Sequence, residues 1–233
     1  MKKTLLIATV GVWAMLAQAQ VITLTNSYPL TPNVVIPDAN PSGLTETFGV
    51  SGLSGSIANI QVNLDITGGF NGDLYAYLAG PAGSGGFAVL LNRVGLTASN
   101  PYGYADSGFN ITLDDSGPNI HTYQTSVNPG GGQLTGFWAP DGRNIDPLSS
   151  GSAFDAASTL TGFQSFLGIV PNGTWTLFIA DMSAGGGAED LTGVTLNIMT
   201  VPEPSVLALT GLGLAGGTLL FLRHRQQRAS RRG

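Results

Sequence analysis

Ile60, Val62, Leu64 and Ile66 alternate with Gln61, Asn63, Asp65 and Thr67, and this period of two most constrains how the chain folds. Successive side chains of a strand point to opposite faces, so the pattern describes a strand with one buried and one solvated side. The same alternation returns. Leu74, Ala76 and Leu78 alternate with Tyr75 and Tyr77. Trp175, Leu177 and Ile179 share one face of Thr174–Asp181, and Val194, Leu196 and Ile198 form a last strand. Phe87–Leu91, Ile111–Leu113 and Leu134–Trp138 are shorter candidates, and Phe154–Phe166 is the one stretch with a helical turn. Between the runs stand Gly68-Gly69-Phe70-Asn71-Gly72, whose Asn-Gly pair is a strong turn signal, and Pro171-Asn172-Gly173. Many short strands joined by Gly, Pro and Asn turns predict an all-β fold, a β-sandwich.

Charge is divided sharply along the chain. All fourteen acidic residues lie between Asp38 and Glu203, against Arg93 and Arg143 as the sole basic residues there, a net of −12. That stretch holds no lysine. Nucleic-acid phosphates need cationic contacts, so the composition excludes nucleic acid as a partner. It suits a soluble exported body that takes up divalent cations. With no cysteine, the body has no disulfide, no thiolate nucleophile and no cysteine-based zinc site.

Both ends read as addresses. Met1-Lys2-Lys3, the apolar Thr4–Leu16 and the small-residue site Ala17-Gln18-Ala19 make residues 1–19 a signal peptide. At the other end, Val206–Leu222 is 17 uncharged residues, about 25 Å as a helix and enough to span a bilayer core. Five arginines follow within 223–233 and hold that end in the cytoplasm, with the body outside. The expected organisation is therefore 1–19 signal peptide, 20–200 β-sandwich and 201–233 sorting signal, with its transmembrane helix at 206–222.

Pro202-Glu203-Pro204, the apolar helix and the Arg-rich tail, in that order, resemble the PEP-CTERM sorting signal of bacterial exported proteins. The resemblance implies passage through the export machinery and anchoring in the inner membrane. It further implies processing near Pro202, Glu203 and Pro204 by an exosortase-type transpeptidase, then delivery to the cell surface or extracellular matrix. A second resemblance covers residues 57–199. Asn71-Gly72-Asp73-Leu74 with Leu78-Ala79-Gly80-Pro81, and Phe166-Leu167-Gly168 with Asn172-Gly173-Thr174-Trp175-Thr176-Leu177 and Asp181, look like the P domain of proprotein convertases. The chain lacks that family's usual histidine before Gly-Asp-Leu, and Val194 stands where tryptophan is common. This resemblance implies a jelly-roll-like β-sandwich and an accessory role in a proteolytic system, without proteolysis of its own.

No catalytic constellation is legible. His121 is the body's one histidine, in the polar stretch Pro118–Thr122, with no nucleophile-elbow sequence beside it, and a solvated side chain is expected. The body is thus expected to be non-enzymatic. Calcium is the candidate ligand: Asp65 and Asp73 flank one turn, Asp181, Glu189 and Asp190 another, and five carboxylates converge if the turns meet. Turn-capping aspartates explain the same residues without metal. Tyr102 and Tyr104, in a Gly/Pro/Asn-rich loop, and Trp138 beside Ala139-Pro140 are candidates for stacking on extracellular polysaccharide.

Overall fold

The computed structural model describes residues 24–158 and 160–201. The expected signal peptide, transmembrane span and basic tail lie outside them. No helix among the described residues is long and apolar enough to cross a membrane.

Ten strands are β1 (Leu24–Leu30), β2 (Val34–Ile36), β3 (Leu44–Val50), β4 (Ser56–Gly68), β5 (Leu74–Ala79), β6 (Phe87–Asn92), β7 (Gly108–Leu113), β8 (Leu134–Trp138), β9 (Gly173–Asp181) and β10 (Glu189–Val201). They form two sheets. One has the order β1-β10-β4-β7-β8, with β2 also paired to β10; the other has the order β3-β9-β5-β6. All pairings are antiparallel except β7 with β8. The described residues are all-β, as their alternation predicts.

That alternation also locates the core. Ile60, Val62, Leu64 and Ile66 of β4, Leu74, Ala76 and Leu78 of β5, and Trp175, Leu177 and Ile179 of β9 are all buried. Side chains from both sheets join one apolar cluster, with Phe109, Leu196 and Ile198 among them, and Phe166 of a 3₁₀ turn packs into it. Trp175 sits within it, its indole N–H donating to the Pro171 carbonyl at 2.8 Å and its ring 5.0 Å from that of Phe166.

The expected turn at Asn71-Gly72 is present, and the helical expectation is corrected. The Asn71-Gly72 turn does not close a hairpin, because β4 and β5 belong to different sheets. Residues Asn71–Asp73 form a 3₁₀ turn, and the positive φ angles fall earlier, at Gly68 (83°) and Gly69 (57°). Asn71 is held inward: its amide donates to Tyr123 Oη at 3.1 Å, and its Oδ1 accepts from Gly108 N at 2.7 Å. The helical segment is divided between α1 (Gly151–Ala156) and a 3₁₀ turn at Phe163–Phe166.

Candidate functional site

The link from β4 to β5 brings one carboxylate, Asp73, toward two others, at the end of β9 and the start of β10. Asp73 closes the 3₁₀ turn, its amide bonded to the Phe70 carbonyl and its own carbonyl accepting from Met182 N at 2.8 Å. Asp181 ends β9 directly across from Leu74, and Glu189 opens β10 across from Gly68 and Ile36. Asp73 is 4% exposed, and Asp181 and Glu189 are 0% exposed. Gly69 is what admits Glu189, because a Cβ at that position would overlap the carboxylate.

The pleat decides which predicted acids belong here. Asp65 immediately precedes the inward Ile66, so it points to the other face of β4, where its Oδ1 accepts from Gln133 Nε2 at 3.2 Å. Asp190 lies between the inward Glu189 and Leu191 and is exposed. Both therefore face away from the cluster. Among the described residues, no three His, Asp or Glu side chains surround a single metal-sized point. The expected five-carboxylate convergence is not formed, and Asp73, Asp181 and Glu189 remain.

Arg93 is the cation nearest this group. Its Nε donates to the Gly72 carbonyl at 2.8 Å, and its Nη2 stands 3.5 Å from Asp73 Oδ1. The guanidinium offsets only part of the cost of burial. Burial raises Asp73 to about 6, with Arg93 opposing and Asp181 adding to the rise. Glu189 is raised to about 8 by burial and by the charge of Asp181, and Asp181 is itself raised, by burial first. Burial lowers Arg93. The body's second arginine is also committed to an aspartate, with Arg143 Nη1 3.1 Å from Asp141 Oδ1.

A cleft of about 250 Å³ opens beside Asp73, lined by Phe70, Asp73, Tyr102, Tyr104 and Ser183 among others. Tyr102 is 76% exposed and Phe70 39%. Tyr104 is half-buried, its ring edge-on to Tyr123 with centroids 4.6 Å apart. Trp138 is 4% exposed and ties its indole N–H to the Thr135 carbonyl at 3.0 Å, which leaves no face for a sugar. The aromatic that shares the cleft with Tyr102 is Phe70, which the turn reading passed over. A second aromatic group lies on the half-buried outer face of the smaller sheet, where Tyr77 stacks on Phe178 with centroids 5.1 Å apart.

His121 corrects the expectation of a solvated side chain. It is 2% exposed, in the 3₁₀ turn Ile120–Thr125. Its Nδ1 lies 2.6 Å from Asp141 Oδ2 and its Nε2 3.1 Å from the Leu96 carbonyl, while its ring stacks on Phe154. A depression of about 270 Å³ lies nearby, lined by Asp115, Asn119, Pro140, Asp141 and Leu160 among others.

No curated protein matches the chain. Among solved structures, the serine protease of Aeromonas sobria in complex with its chaperone is 13% identical, with a TM-score of 0.44. The serine protease of Aeromonas sobria is 14% identical, with a TM-score of 0.43. Each alignment covers 77% of this chain and 27% of the other, so the chain spans about a quarter of those structures. Both scores are too low for the likeness to establish a shared fold. The family comparison concerns the C-terminal end, which holds Pro202, Glu203 and Pro204. Residues 200–226 match the PEP-CTERM protein-sorting motif, which marks the chain as an exported protein sorted by an exosortase.

Proposed function

We propose that the body is a non-enzymatic interaction module, a jelly-roll-like β-sandwich displayed outside the cell in the envelope or extracellular matrix. The observation that carries this reading is the polarity of β10. Glu189, at the acidic cluster, begins the strand, and Val201, which leads into the sorting motif, ends it. Thirteen residues of strand separate the two by roughly 40 Å. The cleft and its carboxylates therefore point away from the end by which the body is held. The absence of enzymatic activity is supported by His121, whose two ring nitrogens are both occupied inside the fold. The test is processing in a host that has the sorting system. Replacing Pro202, Glu203 and Pro204 with alanine is expected to leave an unprocessed, membrane-retained precursor with an intact body. Normal processing of that variant sinks the sorting half of the proposal.

A second reading, binding of matrix polysaccharide, is favoured by Tyr102 and Phe70 sharing one cleft beside a carboxylate. Apolar ring faces stack on sugars while the carboxylate accepts from hydroxyls. Tyr102→Ala and Phe70→Ala are each expected to weaken glycan binding at least ~10-fold, since an aromatic contact of about 1.4 kcal/mol corresponds to that factor. A glycan array without hits removes this reading and leaves a protein partner.

A further inference from the structure

The inner end of the acidic cluster is incomplete as the protein alone provides it. Asp181 and Glu189 are fully buried with their side chains within hydrogen-bonding reach of each other. Asp181 Oδ1 accepts from Ser183 N at 2.9 Å, whereas Asp181 Oδ2 and both Glu189 oxygens have no partner. Two ionised carboxylates have no proton to donate to each other, and an uncompensated buried charge is very costly. Neither arginine of the body is bonded to this pair: Arg93 is bonded to Gly72 and Asp73 and reaches Asp181 through its charge alone, and Arg143 is bonded to Asp141.

The donor set defines what completes it. Three orphaned oxygens from two carboxylates, with neither histidine nor cysteine beside them, suit a hard cation rather than zinc. Asp73 and Ser183, the latter two residues beyond Asp181, line the neighbouring cleft. Asp38, whose Oδ1 accepts from Gly185 N at 3.3 Å, adds negative charge at the rim. Calcium takes about six to eight oxygens, waters among them, in flexible geometry, whereas magnesium demands a near-octahedral shell. We propose that Asp181 and Glu189 bind one calcium ion, with Asp73 supplying charge on the cleft side. Such a site fastens the end of β9 to the start of β10 and stiffens the floor of the cleft. It does not depend on what the cleft binds.

The test is thermal melting of the full chain in mild detergent at neutral pH, in EGTA and in about 10 mM calcium. Binding with a Kd of about 0.1 mM, ordinary for extracellular modules, raises Tm by roughly 5–10 °C. The rise is expected to reverse with EGTA and to vanish in Asp181→Asn and in Glu189→Gln. The glutamine amide can donate to Asp181, so Glu189→Gln is expected to fold and to melt in EGTA no lower than the native chain. A native chain unmoved by calcium overturns the proposal and leaves a shared proton between the two carboxyls. A calcium response kept by both variants, or an equal response to magnesium, also overturns it, by reducing the effect to screening of an acidic body.

Discussion

The Glu189 carboxylate fills the space that a side chain at Gly69 would occupy, and Gly69 holds φ at 57°. One position is thus closed to other residues twice over, by backbone conformation and by a buried neighbour. Gly69→Ala is expected to cost about 2–4 kcal/mol, combining left-handed strain with displacement of the carboxylate. In a Glu189→Ala background the same change is expected to cost markedly less. Urea midpoints of the four proteins in this cycle measure the difference, and equal costs in both backgrounds would refute the coupling.

Acidity sets a second expectation. Asp73 and Glu189 are raised from 3.8 and 4.5 to about 6 and about 8. A carboxyl raised on folding holds its proton more tightly in the folded state. Stability is therefore fullest below the unfolded value and declines as pH climbs to the folded one. Asp114 opposes this at the acid end. Burial would raise it, but the Ser116 hydroxyl and amide, with Asn59 and Gln61, hold it down to about 2. Its contribution is complete above 3.8 and fades as pH falls toward 2. In EGTA, Tm is expected to peak near about pH 4 and to fall toward about pH 8. Melts across this range check it, and a level profile from about pH 5 to 8 would contradict the burial of these acids.

His121 is expected to matter for stability and not for turnover. His121→Leu removes both ring nitrogens that face Asp141 Oδ2 and the Leu96 carbonyl, a loss of about 2–4 kcal/mol read from urea midpoints. Peptide cleavage above background in the native chain that disappears in His121→Ala would overturn the non-enzymatic reading.

Trp175 gives a calibration point in the core. Trp175→Ala removes the largest fully buried side chain together with its bond to Pro171, at about 3–5 kcal/mol. Calcium is not expected to restore the whole loss. A cost below about 1 kcal/mol would contradict the packing around Phe166.

The strands legible in the sequence are those with one buried face: β4, β5, β9 and β10 each show the period of two. β1 does not, because it runs along an edge of its sheet and contains Pro29, which only an edge tolerates well. β2 has three residues, too few for a period. β3 places Glu46 on the same side as Phe48 and Val50, which blurs its pattern. The parallel pairing of β8 with β7 has no local signature, since twenty residues separate the strands. At the acidic cluster, residue types pointed to the correct turns. The strand parity of Ile60–Ile66 also placed Asp65 on the opposite face, whereas the parity of Val194, Leu196 and Ile198 turns Asp190 inward and only the register shift between Leu191 and Gly193 reverses it. The seclusion of His121 was not legible, because its partners Leu96 and Asp141 lie 25 and 20 residues away.

β10 meets β1 along one side and β4 along the other, and ends where the sorting motif begins. A tether fixed beyond Val201 therefore draws on the body along the axis of this strand. The rungs to Leu24–Leu30 and Ser56–Gly68 lie across that direction, so they are loaded together in shear rather than peeled apart singly. Under drag or tension at a cell boundary, the body hangs from a strand gripped on both sides.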